Sequence, residues 1–280
     1  MLVTKTVQQV RDQVRAWKKE GLSVGLVPTM GFLHQGHGSL IKKAVEDNDR
    51  VIVSDFVNPT QFGPGEDLEA YPRDFEADRA FCQDLGAAMI FNPEPKDMYQ
   101  DPKAYVNIEG LSDGLCGASR PVHFRGVCTV VSKLFNITGA DRAYFGQKDA
   151  QQLAIVKKMV EDLNFPIEIV ACPIVREADG LAMSSRNTYL SKEERQAALC
   201  LSKAIFKGQE SIREGMAAKD LLDLMGEVIG QEPLAKIDYI DLVDARMLEP
   251  LDRVQGKVLV AMAVYIGKTR LIDNFIWEEK

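Results

Sequence analysis

Histidine, tryptophan and cysteine are scarce in this sequence of 280 residues, which holds three, two and five of them. The cysteines, Cys82, Cys116, Cys128, Cys172 and Cys200, are scattered, odd in number and never spaced as CxxC. That excludes an evident zinc motif or disulfide framework and fits reduced thiols in a cytoplasmic protein. No apolar run exceeds the nine residues 258–266, well short of the about 20 that a bilayer-spanning helix needs. The N-terminal stretch MLVTKTVQQV has no apolar signal core, so nothing directs export, and no membrane partner is expected. Basic charge is also in deficit: 34 Lys and Arg against 41 Asp and Glu leave a net charge of −7. Such a chain lacks the basic surface that nucleic-acid phosphates select, so no nucleic-acid partner is expected. A small anionic substrate stays open, because a site needs only local positive charge. There is no internal repeat and no low-complexity tract.

What is present is ordinary globular composition, 46% hydrophobic and 27% charged, arranged in alternating strands and helices. Thr6 and Gln9 form a capping-box pattern ahead of Val7, Val10, Val14 and Trp17 at helical spacing, with a stop at Gly21. Strands are expected over 23–28, 50–57, 88–91, 142–145 and 167–175. Helices are expected over 39–47, 69–85, 123–137 and 149–163. Nearly continuous apolar strands between helices predict a parallel α/β sheet covered on both faces. After residue 175 the pattern changes to helical segments over 192–213 and 219–229 and strands over 236–243 and 257–265. This predicts two domains, 1–175 and a smaller α+β domain over 176–280.

Two of the three histidines, His34 and His37, lie within PTMGFLHQGH, between the first sheet strand and a helix expected to begin around His37. In an open parallel sheet, ligands bind beyond the carboxyl ends of the strands. A helix start offers N–H groups and a positive dipole end to a phosphate. Residues three apart on a helix share a face, and Gly31, Gly36 and Gly38 admit close backbone approach. Two surface histidines at a cap are the plainer alternative, which the glycine-rich strand-to-helix setting outweighs. FGQKDAQQ (145–152) again follows a strand and opens a helix. There Lys148 can meet a phosphate and Asp149 a ribose hydroxyl, or Asp149 is a simple N-cap with Lys148 in solvent. MSSRN (183–187) offers Ser184 and Ser185 as donors and Arg186 as a fork for phosphate oxygens, or is only a hinge loop. In FVNPTQ (56–61), Asn58 and Gln61 can orient a polar substrate, or Asn-Pro only sets a turn.

HQGH and the later SSR loop resemble the HIGH and KMSKS elements of the adenylyl-transferring superfamily with Rossmann-like sheets. The ordered set PTMGFLHQGH, FVNPTQF, DLEAYPRD, ASRPVHFRGV, YFGQKDAQQL, MSSRNTYL and RLIDN is similar to the pantoate–β-alanine ligase family. That resemblance implies attack of pantoate on the α-phosphorus of ATP, then displacement of AMP by β-alanine. It implies ATP contacts from Met30, Gly31, Phe32, Leu33, His34, Gln35, Gly36 and His37, and from Gly146, Gln147, Lys148 and Asp149. Val175, Met183, Ser184, Ser185 and Arg186 complete the ATP site, the last at the head of the second domain. Gln61 is placed on pantoate and beside β-alanine, Gln152 on pantoate, with Asn58 assisting. His34, His37, Lys148 and Arg186 carry the catalysis. The histidines supply positive hydrogen bonds as phosphate charge develops, with His37 in the position usually assigned as proton donor. Mg²⁺ would sit mainly on phosphate oxygens, so no protein metal site is expected. The family implies a homodimer.

Three positions depart from the family pattern. Asp55 stands where an apolar residue is common, Val122 where Gly is, and Gly38 where a larger residue is. Asp55 places a carboxylate near the presumed pantoate pocket. Two rivals are a nucleotidyltransferase of the same superfamily and a non-catalytic nucleotide-binding regulator. The two glutamines speak against the first, and the presence of His34, His37, Lys148 and Arg186 together against the second. A tRNA synthetase fits the acidic balance poorly.

Overall fold

The structure, a computed structural model, describes residues Met1–Glu279. It divides into two compact units that interleave along the chain. The first comprises Met1–Glu109, Arg120–Gln147 and Ile155–Pro173, and the second Gly110–Ser119, Lys148–Ala154 and everything from Ile174 onward.

In order, the chain forms β1 (Leu2–Thr4), α1 (Val7–Lys19), β2 (Val24–Thr29), α2 (Gln35–Asp47), β3 (Arg50–Asp55), α3 (Phe75–Asp84), β4 (Met89–Phe91), α4 (Pro95–Met98), α5 (Cys116–Ser119), α6 (His123–Thr138), β5 (Arg142–Gly146), α7 (Ala150–Asp162) and β6 (Glu168–Cys172). The capping box is present: Thr6 Oγ1 accepts from Gln9 N, and the Gln9 amide oxygen accepts from Thr6 N. The helix it opens buries Val10, Val14 and Trp17, as the spacing predicts. The six strands of the first unit form one sheet in the order β1-β4-β3-β2-β5-β6, parallel at every pairing. Between β2 and β5 the strand order reverses direction, and such switch points collect ligands at the strands' carboxyl ends. Val51–Asp55 are buried without a break, the mark of a strand covered on both sides.

The second unit continues with α8 (Lys192–Ala197), α9 (Leu199–Ser211), α10 (Ala218–Gly230), β7 (Ala235–Asp244), β8 (Val258–Ile266) and β9 (Thr269–Trp277). Its three strands form an antiparallel sheet with β8 in the middle. Ile205, Leu221, Met225, Val260, Met262 and Phe275 belong to its own hydrophobic core. The expected parallel α/β sheet with a smaller α+β part is therefore what the chain builds.

Several boundaries differ from expectation for local reasons. Helix α3 starts at Phe75, since Pro72 disfavours helix at Tyr71 and Asp74 caps the helix by accepting from Ala77 N at 3.1 Å. The strand expected to reach 175 ends at Cys172, where Pro173 removes a ladder donor. The segment 192–213 breaks into α8 and α9 at Ala198. β1 and β9 were not expected, although β9 contains the RLIDN motif. Strand β2 lies one residue later than expected at both ends, and the helix after it begins at Gln35, earlier than His37. Among the described residues, no helix is long and apolar enough to cross a membrane, and all five cysteines are free thiols.

Ile52, fully buried in β3 between β2 and β4, is a test of this core. Ile52→Ala should lower the stability of the first unit by about 2–5 kcal/mol, read as faster hydrogen exchange of β2–β4 amides under mild urea.

Candidate active site

β2 ends at Thr29, whose hydroxyl donates to Ser54 O (2.7 Å) and accepts from Gly31 N (3.2 Å). The next two residues are both left-handed, Gly31 at φ 78° and Phe32 at φ 52°. Gly31 is required twice over, since a Cβ there would also lie 2.3 Å from Asp55 Oδ1. A non-glycine residue in this region costs about 1–3 kcal/mol, and Asp78 supplies the compensation. Its two carboxylate oxygens accept from Phe32 N (2.7 Å) and Leu33 N (2.6 Å), bonds of the short, charge-assisted kind.

The loop delivers the chain to α2 with His34 as N-cap. His34 Nδ1 accepts from Gly36 N (3.1 Å), and His34 N donates to His37 Nδ1 (3.3 Å). This is a capping box built from two histidines. A ring nitrogen that accepts an N–H carries no proton, so each imidazole is neutral and holds its proton on Nε2. The rings lie 4.1 Å apart between centroids, a separation at which two imidazoliums would repel. His37 thus sits inside the first turn of α2, with His34 at its cap.

Beneath the loop, Asp55 (6% exposed) and Asp78 (3%) both approach Gly31. Burial, with Asp78 beside it, pushes the Asp55 carboxyl up to about 7. Burial also raises Asp78, against the opposing pull of its two backbone donors, and lifts the neighbouring Cys82 thiol to about 12.

After β3, a 3₁₀ turn over Pro59–Gln61 carries the FVNPTQ residues. Asn58 is 1% exposed. Its two amide hydrogens go to Gln61 Oε1 (2.9 Å) and Gly126 O (3.2 Å), and its oxygen accepts from Tyr99 (2.8 Å) and Thr60 (3.0 Å). Asn58 is therefore committed to holding Gln61. The Gln61 amide donates to Met30 Sδ at 3.2 Å, bringing the glutamine against the histidine loop. His123 Nδ1 donates to Gln61 O (3.0 Å). Gly126 of α6 lies so close that a Cβ would fall 2.4–2.5 Å from Thr60 O and the Gln61 backbone.

In the second unit, Gln151 is saturated: its amide nitrogen donates to Leu111 O and Gly114 O, and its oxygen accepts from Cys116 N. The side chain of its half-buried neighbour Gln152 makes no protein hydrogen bond among the described residues. Half-buried Lys148 forms no ion pair among them either, while Asp149 is exposed. The MSSRN segment is closed into a loop by Met183 N donating to Val175 O (3.0 Å) and by a bridge between Arg176 and Ala182. Ser184 Oγ accepts from Arg186 N (3.3 Å). Asn187 donates to Glu177 (2.8 Å) and Ala182 O (3.1 Å). Lys148 and Ser184 line one small cavity with Ala182, Asn187 and Asp273. The structure thus brings Met30, the histidines and Gln61 together in the first unit, and Lys148 and Ser184 together in the second. Gly146 and Gln147 close β5 in the first unit.

The protein-family model described as pantoate-beta-alanine ligase matches residues 2–276. The chain belongs to the pantoate–β-alanine ligase family. It is 60% identical to a pantothenate synthetase from Clostridium novyi, over 99% of both chains. A pantothenate synthetase from Enterococcus faecalis is 59% identical, again over 99% of both. In structure it is similar to a pantothenate synthetase from Thermus thermophilus, with a TM-score of 0.91, 42% identity and 98% and 99% of the two chains covered. A Francisella tularensis pantoate-beta-alanine ligase complexed with beta-gamma ATP and beta-alanine matches with a TM-score of 0.82 and 35% identity, over 99% and 97%. This ligase therefore condenses pantoate with β-alanine at the expense of ATP, through a pantoyl-adenylate.

The three departures from the family pattern acquire physical accounts. A Cβ on Gly38 would lie 2.9 Å from Phe81 Cζ, so Phe81 occupies the space a larger residue would fill. Val122 caps α6 at φ −94° and is 44% exposed, a place that makes no demand for glycine. Asp55 packs under Gly31 beside Asp78. Sequence reasoning missed Asp78, Gly126, Tyr99 and Asn274. Asp78 looks like any first-turn acid of a helix, and its partners lie 45 residues away or more.

The ionisation of Asp55 sets a pH dependence. Its carboxyl is raised in the folded state from an ordinary value near 4 to about 7, so the folded chain holds the proton more tightly. The associated stability is present in full below about pH 4 and is lost as pH rises through 7. Asp55→Asn, which cannot ionise, should exceed the native chain in stability by up to about 4 kcal/mol at pH 8. The margin should shrink steadily as urea titrations are repeated from pH 7 down to 4. A margin that does not change with pH would contradict the assignment.

Proposed function

We propose that the histidine loop, Lys148 and the MSSRN loop together activate ATP for attack by pantoate, with Gln61 and Gln152 reading pantoate. The observation that supports this most directly is the reciprocal cap, which fixes both imidazoles with Nε2–H as the donor. Two preorganised neutral donors at a helix start suit a phosphate whose charge grows during attack on the α-phosphorus. Lys148 and Arg186 supply the full positive charges that the histidines, being neutral, do not. Met30–His37, Gly146–Asp149, Val175 and Met183–Arg186 form the ATP site in this proposal. Gln152, with its amide uncommitted, accepts and donates to pantoate; Gln61 lies between pantoate and β-alanine; Asn58 acts by holding Gln61. The segment 1–175 then carries ATP and pantoate binding, and 176–280 adds the MSSRN loop.

The described residues contain no group of three or more His, Cys, Asp or Glu placed to hold a metal. In this proposal Mg²⁺ accompanies the ATP phosphates. A homodimer in the cytoplasm is part of the same proposal.

Labelled pyrophosphate should exchange into ATP when pantoate is present and β-alanine is not. Exchange that needs β-alanine would remove the free-standing adenylation step. His34→Ala or His37→Ala should lower kcat by roughly 10²–10³; a rise in the KM for ATP at unchanged kcat would show ground-state binding instead.

Gly126→Ala gives a separate check on pantoate recognition. The added methyl must displace the Gln61 backbone, so the KM for pantoate should rise at least about tenfold, with ATP affected far less. Equal losses for both substrates would mean that the turn supports the fold and does not read pantoate.

A further inference from the structure

Alternation along β9 places Leu271, Asp273 and Phe275 on one face and Ile272, Asn274 and Ile276 on the other. Leu271 and Phe275 belong to the core of the second unit, which makes the second face the less covered one. Ile276 there is 38% exposed, yet the polar Asn274 is only 3% exposed. A buried amide in such a place needs hydrogen-bond partners. Its Nδ2 donates to the backbone carbonyl of Lys148 at 2.8 Å.

The strand at this point is itself fixed. Asp273, 1% exposed at its side chain, accepts both Nη groups of Arg176 at 2.6 and 2.9 Å. The same carboxylate accepts from Asn274 N at 2.8 Å, and Arg176 also donates to Gly180 O at 3.1 Å. Two adjacent residues of one strand thereby hold two separate segments, the Lys148 turn and the loop that begins at Arg176. Lys148 needs such support. Its ammonium rides on a flexible four-carbon stem and forms no ion pair with the described residues, so its reach is set by where its backbone is held.

We propose that Asn274 is a positioning residue for ATP activation, fixing the Lys148 backbone so that the Lys148 ammonium meets the phosphates in a set direction. The inference rests on the assignment of Lys148 to those phosphates.

The test is a double-mutant cycle read by pantoate-dependent pyrophosphate–ATP exchange, with Asn274→Leu, Asn274→Asp and Lys148→Ala alone and combined. Asn274→Asp keeps the size of the side chain and removes the donor, which guards against simple misfolding. Each Asn274 variant should slow exchange by up to about 100-fold. In the Lys148→Ala background the same change should alter the rate by no more than about twofold. Reaction of separately prepared pantoyl-adenylate with β-alanine, which has no phosphate chain left to orient, should stay within about twofold of native in both Asn274 variants. An equal loss in both backgrounds, or a parallel loss in the β-alanine half-reaction, would overturn the role of Asn274 and leave that of Lys148 standing. Native exchange by Lys148→Ala would overturn both.

Discussion

The Asp78 carboxylate is the contact on which the histidine loop depends. Without its two short bonds to Phe32 N and Leu33 N, left-handed Phe32 has no compensation for its conformation. The direction in which the chain enters α2 follows from that turn. His34 reaches the N-cap position, and His37 the first-turn position, only because the turn ends where it does. A carboxylate in α3 therefore sets how the chain delivers both rings to α2. Asp55 adds a constraint of its own. By filling the space next to Gly31 it forbids any side chain there, and with its carboxyl raised to about 7 it adds no full second charge beside Asp78 below that pH.

Much of the molecule could be read from residue order. The first helix was legible because Thr6, Gln9, Val10, Val14 and Trp17 all signal locally. Strands β2 and β3 were legible as unbroken apolar runs. The histidine loop stood out because two of three histidines fall in one glycine-rich segment. β1 was hidden because Leu2 and Val3 are exposed and only pairing with β4 makes them a strand. β9 was hidden because its buried polar residues, Asp273 and Asn274, break the apolar alternation that marks a half-covered strand.

The site was legible in its list of residues and not in the way they are held. Asn58 and Gln61 look alike in FVNPTQ as candidate amides. The structure separates them, since both side-chain polar atoms of Asn58 are engaged inside the protein. Gln151 and Gln152 repeat the lesson, the first saturated by the 111–116 segment and the second left with its amide uncommitted. Composition at a position cannot distinguish a committed amide from an available one; only the partners can. The charge state of the histidines is a similar case. Spacing placed two rings on one face, and only the structure shows that each Nδ1 is taken up by a backbone donor.

The interleaving of the two units bears on how this chain can change over evolutionary time. Its path passes from one unit to the other five times, after residues 109, 119, 147, 154 and 173. A domain that occupies one continuous stretch can be copied, fused or exchanged by a single recombination event. Here a single crossover anywhere within the chain leaves at least one of the two units with segments from two parents. A crossover between residues 154 and 174, for example, separates Lys148 and Gln152 from the C-terminal sheet with which they share a unit. Contacts within a unit, such as the bond from Asn274 to the Lys148 carbonyl, then come from two parents.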